Sequence, residues 1–179
     1  MASLRSILSS LSAMLRPSRT ASPTASPTRR TPAAEPGRAE PGRAGSGAMQ
    51  QVDPRTLGRI RTSYEPRLDG DADPGEIVWT WVPYEEADGR GKDRPVLVVA
   101  AEPGGTVLAV ALTSQEHPGR PEYLAIGSGD WDGRHRPSFV RLDRVFRLHQ
   151  SGMRREGAAL DAAPYEAVRR ALAARYGWR

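Results

Sequence analysis

The chain contains no cysteine. Disulfide scaffolds, thiol nucleophiles, CxxC redox sites and Cys-ligated zinc are therefore excluded. Histidine is scarce: only His117, His135 and His149 occur, and no two sit four residues apart, as the helical zinc-protease motif requires. Neither a metal centre nor any other cofactor is expected. No apolar run approaches the roughly 18 residues that suggest a membrane span, so the expectation is a soluble, cytoplasmic protein.

Basic charge, by contrast, is in excess. The 179 residues carry 26 Lys and Arg against 21 Asp and Glu, a formal net charge of +5. Such a balance suggests a nucleic-acid or membrane-surface partner. Its distribution is uneven. Residues 1–68 hold 11 basic and four acidic residues, +7, whereas residues 69–179 hold 15 and 17, −2. Between Pro17 and Gly47 the sequence repeats TASP-like and AEPGR-like units almost without large apolar side chains. Burial there cannot offset the entropy of ordering the backbone, and residues 17–68 are expected to form a disordered Pro/Arg/Ser-rich linker. Ahead of it, Leu4, Ile7, Leu8, Leu11, Met14 and Leu15 recur at helical spacing. An amphipathic helix over residues 1–16 is expected, with a membrane-surface anchor, a partner-docking helix and a plain tail as its three readings. Met49 is a second possible translation start.

Residues 69–179 read as a mainly β domain closed by one helix. EIVWTWV (Glu76 to Val82) alternates apolar side chains and stops at Pro83, with Trp79 and Trp81 on one face and read as core. RPVLVVAA (Arg94 to Ala101) and TVLAVAL (Thr106 to Leu112) flank the turn residues Pro103, Gly104 and Gly105, which predicts an antiparallel hairpin. A short strand over Tyr123 to Ile126, a Gly-rich loop and a bent strand over Ser138 to Leu148 follow. The spacing of Tyr165, Val168, Leu172 and Tyr176 predicts a helix from Ala162 to about Tyr176, capped by Asp161 and stopped by Gly177. Five short strands in about 111 residues favour a small barrel, whose function must sit on loops or at a sheet end.

Two places concentrate reactive side chains. The loop from Glu85 to Pro95 is too long and polar for a turn chosen for stability, and Arg94 stands where it enters a strand. A guanidinium there matches a phosphate with its planar fork; its plain alternative is a surface ion pair with Asp93 or Glu85. The hairpin register carries Thr113, followed by Ser114, to the same open end. A hydroxyl beside a guanidinium can hold a phosphate, or Thr113 can merely cap the loop backbone. His117 and His135 offer a conceivable acid–base pair or ordinary loop residues. Trp131 is either a base-stacking platform or a plug for the barrel end.

The segments GEIVWTWVPYEE, GKDRPVLVVA, VALTS and RPSFVRLDRVFRL, in this order, resemble the PemK/MazF family of toxin ribonucleases from toxin–antitoxin modules over about Pro74 to Leu148. The resemblance implies an SH3-like β-barrel, a homodimer, an antitoxin protein partner and metal-independent cleavage of single-stranded RNA by attack of a ribose 2′-OH. It makes Arg94 and Thr113 the catalytic pair and implicates Lys92, Ser114, Trp131, Arg141 and Arg144 in RNA binding. Two departures stand out. The acidic motif that members carry before the RP pair is here Arg90-Gly91-Lys92-Asp93, with Asp93 or Glu86 as substitutes. The position of a later family arginine is Phe146, leaving Arg141, Arg144 or Arg147 to take its role. These departures motivate an alternative, a catalytically inactive barrel that binds RNA or a protein partner.

Overall fold

The computed structural model describes residues 41–67, 69–86, 88–154 and 158–179. The helix expected over residues 1–16 and the linker up to residue 40 lie outside the described residues. Six strands are present: β1 (Gln50–Val52), β2 (Ile77–Pro83), β3 (Gly91–Glu102), β4 (Thr106–Thr113), β5 (Tyr123–Gly127) and β6 (Ser138–His149), followed by the helix α1 (Ala162–Tyr176). They form one antiparallel sheet in the order β1-β6-β4-β3-β2, with β5 paired to the first half of β6. This is the mainly β domain with a C-terminal helix that the sequence predicts.

The β3–β4 hairpin turns where expected, with Glu102 opposite Thr106. Gly104 and Gly105 both have positive φ, 93° and 81°, which non-glycine residues avoid. Near-continuous apolar runs in these central strands make sense because both faces of the sheet are covered. One face packs Leu97, Val99, Leu108 and Val110 against Tyr165, Val168 and Leu172 of α1. On the other, Val96, Val98, Ala109 and Phe146 pack with Ala72 and Met153, and Met49 leans against them. Helix α1 ends on Gly177 in the left-handed region, as expected, but Asp161 makes no side-chain capping bond.

The described part of the expected linker is instead built into the domain. Residues Gln50–Val52 pair with Arg147, Phe146 and Val145 of β6, and Leu57 and Ile60 pack on the helix-side core. The Thr62 hydroxyl donates to the Arg179 carbonyl at 2.9 Å, and the Arg179 amide donates to that of Ile60 at 2.9 Å. Composition failed here because four apolar anchors, Met49, Val52, Leu57 and Ile60, and an offered sheet edge suffice to hold a segment whose average is polar. Residues 152–154 similarly cover the outer edge of β2, where the Trp79 amide and carbonyl both bond Arg154 and the Thr80 hydroxyl donates to the Gly152 carbonyl at 2.8 Å.

Candidate functional site

The open end of the hairpin carries the site. Strand β3 begins at Gly91, three residues before Arg94, because Gly91 to Leu97 pairs continuously with β2. A Cβ at Gly91 would run into the Trp81 ring, so glycine is required there. The pairing of Val96 with Ala111, carried on by two residues, brings Arg94 level with Thr113. Both line a cleft of about 580 Å³, together with Tyr84, Glu85, Tyr123 and Arg144.

Arg94 is half-buried. Its plain alternative, an ion pair, does not occur: Asp93 pairs with Arg154 and Glu85 with Arg141, and among the described residues no hydrogen bond or ion pair holds Arg94. A cation left partly desolvated without a counter-charge is costly, and it is a ready binding group for an anion that supplies one. Thr113, also half-buried, accepts a hydrogen bond from the Gln115 amide at 3.1 Å. That bond leaves the hydroxyl proton free to be donated into the cleft.

The remaining arginines are placed differently. Arg141 makes a two-point contact with Asp143 at 2.8 and 3.1 Å and also binds Glu85. Burial alone would lower its pKa, but these two carboxylates hold it well above the ordinary guanidinium range. Arg141 in turn pulls Glu85 and Asp143 below the usual carboxylate range, against the upward push of burial. Arg144 is buried. It donates to the Gln51 side chain at 3.0 and 2.6 Å and to the Pro83 carbonyl at 2.9 Å, over the Phe146 ring at 5.0 Å. Burial and then the neighbouring Arg141 charge depress its pKa. Both line the cleft, but with donors already engaged.

The other expected residues divide between two cavities. Lys92 and Ser114, both exposed, line a second cavity of about 280 Å³ that shares Arg94, Leu112, Thr113 and Gln115 with the cleft. Trp131 is only 6% exposed, and its indole N–H donates to the Ser138 hydroxyl at 3.0 Å. It plugs the sheet end and is not a platform open to solvent for base stacking. Gly129 is required beneath it, since a Cβ would collide with the ring. Trp79, read as core, is half-buried and lines the smaller cavity; Trp81 is 9% exposed. His117 lines the cleft and stacks on Tyr123, with ring centroids 3.9 Å apart. His135 lies outside the cleft and faces Asp130 at 3.9 Å, so the two histidines do not form a pair there.

Tyr123 and Gln115 were not foreseen as site residues. The signal for Tyr123 was available in the alternation of β5, which sets it opposite Arg141. Gln115 reaches the site through a local backbone turn after β4, a feature that residue type alone does not show.

A family model described as PemK-like, MazF-like toxin of type II toxin–antitoxin system matches residues 73–175. Similar solved structures include an endoribonuclease in complex with its cognate antitoxin from a mycobacterial species, with 20% identity and a TM-score of 0.47, covering 59% of this chain and 95% of that one. MazE–MazF from Deinococcus radiodurans has 23% identity and a TM-score of 0.42, covering 60% and 98%. The Mycobacterium tuberculosis toxin MazF-mt6 has 16% and 0.41, covering 57% and 98%. No curated protein matches the chain.

Proposed function

Because the chain belongs to the PemK-like, MazF-like toxins of type II toxin–antitoxin systems, we propose that it is an endoribonuclease that cleaves single-stranded RNA by attack of a ribose 2′-OH on the adjacent phosphate. The observation that carries this reading is the placement of a half-buried Arg94, without an ion-pair partner among the described residues, beside Thr113 on one cleft wall. In the reaction the 2′-oxygen forms a bond to phosphorus and the bond to the 5′-oxygen breaks, leaving a cyclic phosphate and a 5′-hydroxyl. Charge grows on the non-bridging oxygens as the five-coordinate transition state forms. Arg94 supplies fixed positive charge there and Thr113 a hydrogen-bond donor, aimed before the reaction begins. His117, the imidazole lining the cleft, takes the proton from the 2′-OH, and water in the open cleft supplies one to the departing 5′-oxygen. None of these roles calls for a metal ion.

Family membership makes a protein antitoxin the expected partner, and a homodimer the expected assembly. Among the described residues no helix is long and apolar enough to cross a membrane. Purified protein is expected to cut single-stranded RNA in the presence of EDTA, and Arg94→Ala to slow the cut by roughly a hundredfold or more; undiminished cleavage by that variant would sink the assignment. A second reading, a non-catalytic barrel that binds RNA, is favoured by one observation. Arg141 and Arg144, which would have to take the role of the family arginine replaced by Phe146, have their donors already engaged within the protein, which weakens catalysis more than binding at the cleft. It predicts RNA binding that survives Thr113→Ala, with no cleavage by either protein.

A further inference from the structure

The smaller cavity is more than an annex of the cleft. Of the four tryptophans, Trp81, Trp131 and Trp178 are buried and only Trp79 is half-buried. Among the described residues its indole N–H meets no protein acceptor, whereas that of Trp131 is held by Ser138. Around it stand Lys92, the only lysine of the chain, and Ser114 and Gln115, all exposed. None of these three side chains has a hydrogen-bonding or charged partner among the described residues. At about 280 Å³ the cavity falls just below the range of drug-sized ligand pockets, a size suited to a single ring system with its sugar.

Its position relative to the cleft matters most. In β3, Arg94 alternates with Val96 and Val98 toward one face of the sheet, while in β2 Trp79 alternates with Ile77 toward the other. Trp79 and the cleft thus lie on opposite sides of one sheet end, with Arg94 and Thr113 lining both cavities between them. A strand that lays a phosphate between them has a cavity on each side for its two flanking nucleosides. Attack by the 2′-oxygen requires it to lie opposite the departing 5′-oxygen, an alignment that a stacked helical strand does not provide. Splaying the two nucleosides breaks the stack and permits the alignment.

We propose that the smaller cavity is a nucleobase subsite, in which Trp79 stacks the base on one side of the reacting phosphate. Ser114 and Gln115 meet the hydrogen-bonding edge of that base, and Lys92 contacts the next phosphate. The proposal rests on the endoribonuclease reading for its substrate, and its test separates the two. The full chain is titrated with a single-stranded DNA oligonucleotide, which lacks the 2′-OH and cannot be cut by this route, while tryptophan fluorescence is followed. RNA cleavage is measured in parallel. Saturable quenching is expected in the wild type and is expected to disappear in Trp79→Phe, a variant that keeps a ring in the cavity. Trp79→Ala is expected to lower kcat/KM for RNA roughly tenfold or more, the scale of one aromatic–base stack. Cleaving wild-type protein that shows no quenching, or a Trp79→Ala variant with unchanged kcat/KM, would overturn the subsite and leave the ribonuclease reading standing. Quenching without any RNA cleavage would refute the ribonuclease and support the subsite as a base-binding pocket.

Discussion

The two ends of the β3–β4 hairpin carry similar side chains in opposite conditions. At the turn end, Arg147 of β6 meets Glu102 through two bonds of 2.6 Å each, and Thr106 adds a third bond to the same carboxylate at 3.0 Å. At the open end, Arg94 has no hydrogen-bond or ion-pair partner among the described residues, although Asp93 is its neighbour in sequence and Glu85 lies on the same cleft. The turn end is arranged for the folded state itself. The open end keeps a cation partly desolvated and uncompensated, a condition that disfavours folding and favours an incoming anion. Charge alone therefore does not mark the site; the absence of a partner does.

The strongest way to break this division is to remove the plug beneath the open end. Trp131→Ala is expected to destabilise the domain by about 3–5 kcal/mol, the usual cost of truncating a buried tryptophan, and to lose activity with the fold. Chemical denaturation with far-ultraviolet dichroism measures it. Arg94→Ala should do the opposite: cleavage falls by roughly a hundredfold to a thousandfold, as when one preorganised donor is lost, while the denaturation midpoint holds or rises. A parallel drop in stability would show that Arg94 is a structural cation after all. Thr113→Ala removes a single donor and is expected to cost about tenfold to a hundredfold in kcat, on the scale of a hydrogen bond to a charged group. Thr113→Ser restores the hydroxyl and should recover most of the rate.

How far the sequence carried the reading follows from the same physics. Alternation in β2, the Gly-rich turn of the hairpin and the helical spacing of Tyr165, Val168 and Leu172 are local signals, and each placed its element within a few residues. Arg94 and Thr113 were legible because an antiparallel register converts turn position into proximity. What escaped was set by contacts distant in sequence. Residues 41–67 looked like linker because nothing local reveals the pairing of Gln50–Val52 with β6. Arg144 looked like a free phosphate ligand because its acceptor, Gln51, lies 93 residues away. Trp79, read as core, is half-buried at a cavity, and Trp131, read as platform or plug, is the plug, for a similar reason: alternation assigns a face, but the covering of that face depends on Ser138 and the loop before it.

The turn end supplies the reciprocal test, where the expected effect is smallest. The Arg147 guanidinium, by its hydrogen bonds, holds the Glu102 carboxyl below its ordinary value of 4.5, against the upward push of burial. A carboxylate whose folded pKa is depressed adds stability that is fully present above its unfolded pKa. As the pH falls below about 4.5 and through the lower folded value, both states take up the proton and that stability is lost. Side chains that are 34% and 13% exposed keep part of the interaction screened, so roughly 1 kcal/mol is the expected contribution. Glu102→Gln should therefore lower stability by about that much at pH 7 and by progressively less between pH 5 and pH 3. Cleavage per folded molecule should remain at the wild-type level. A pH-independent loss would mean that packing of the side chain, and not its charge, is what the turn end requires, and the contrast with Arg94 would then rest on shape instead of electrostatics.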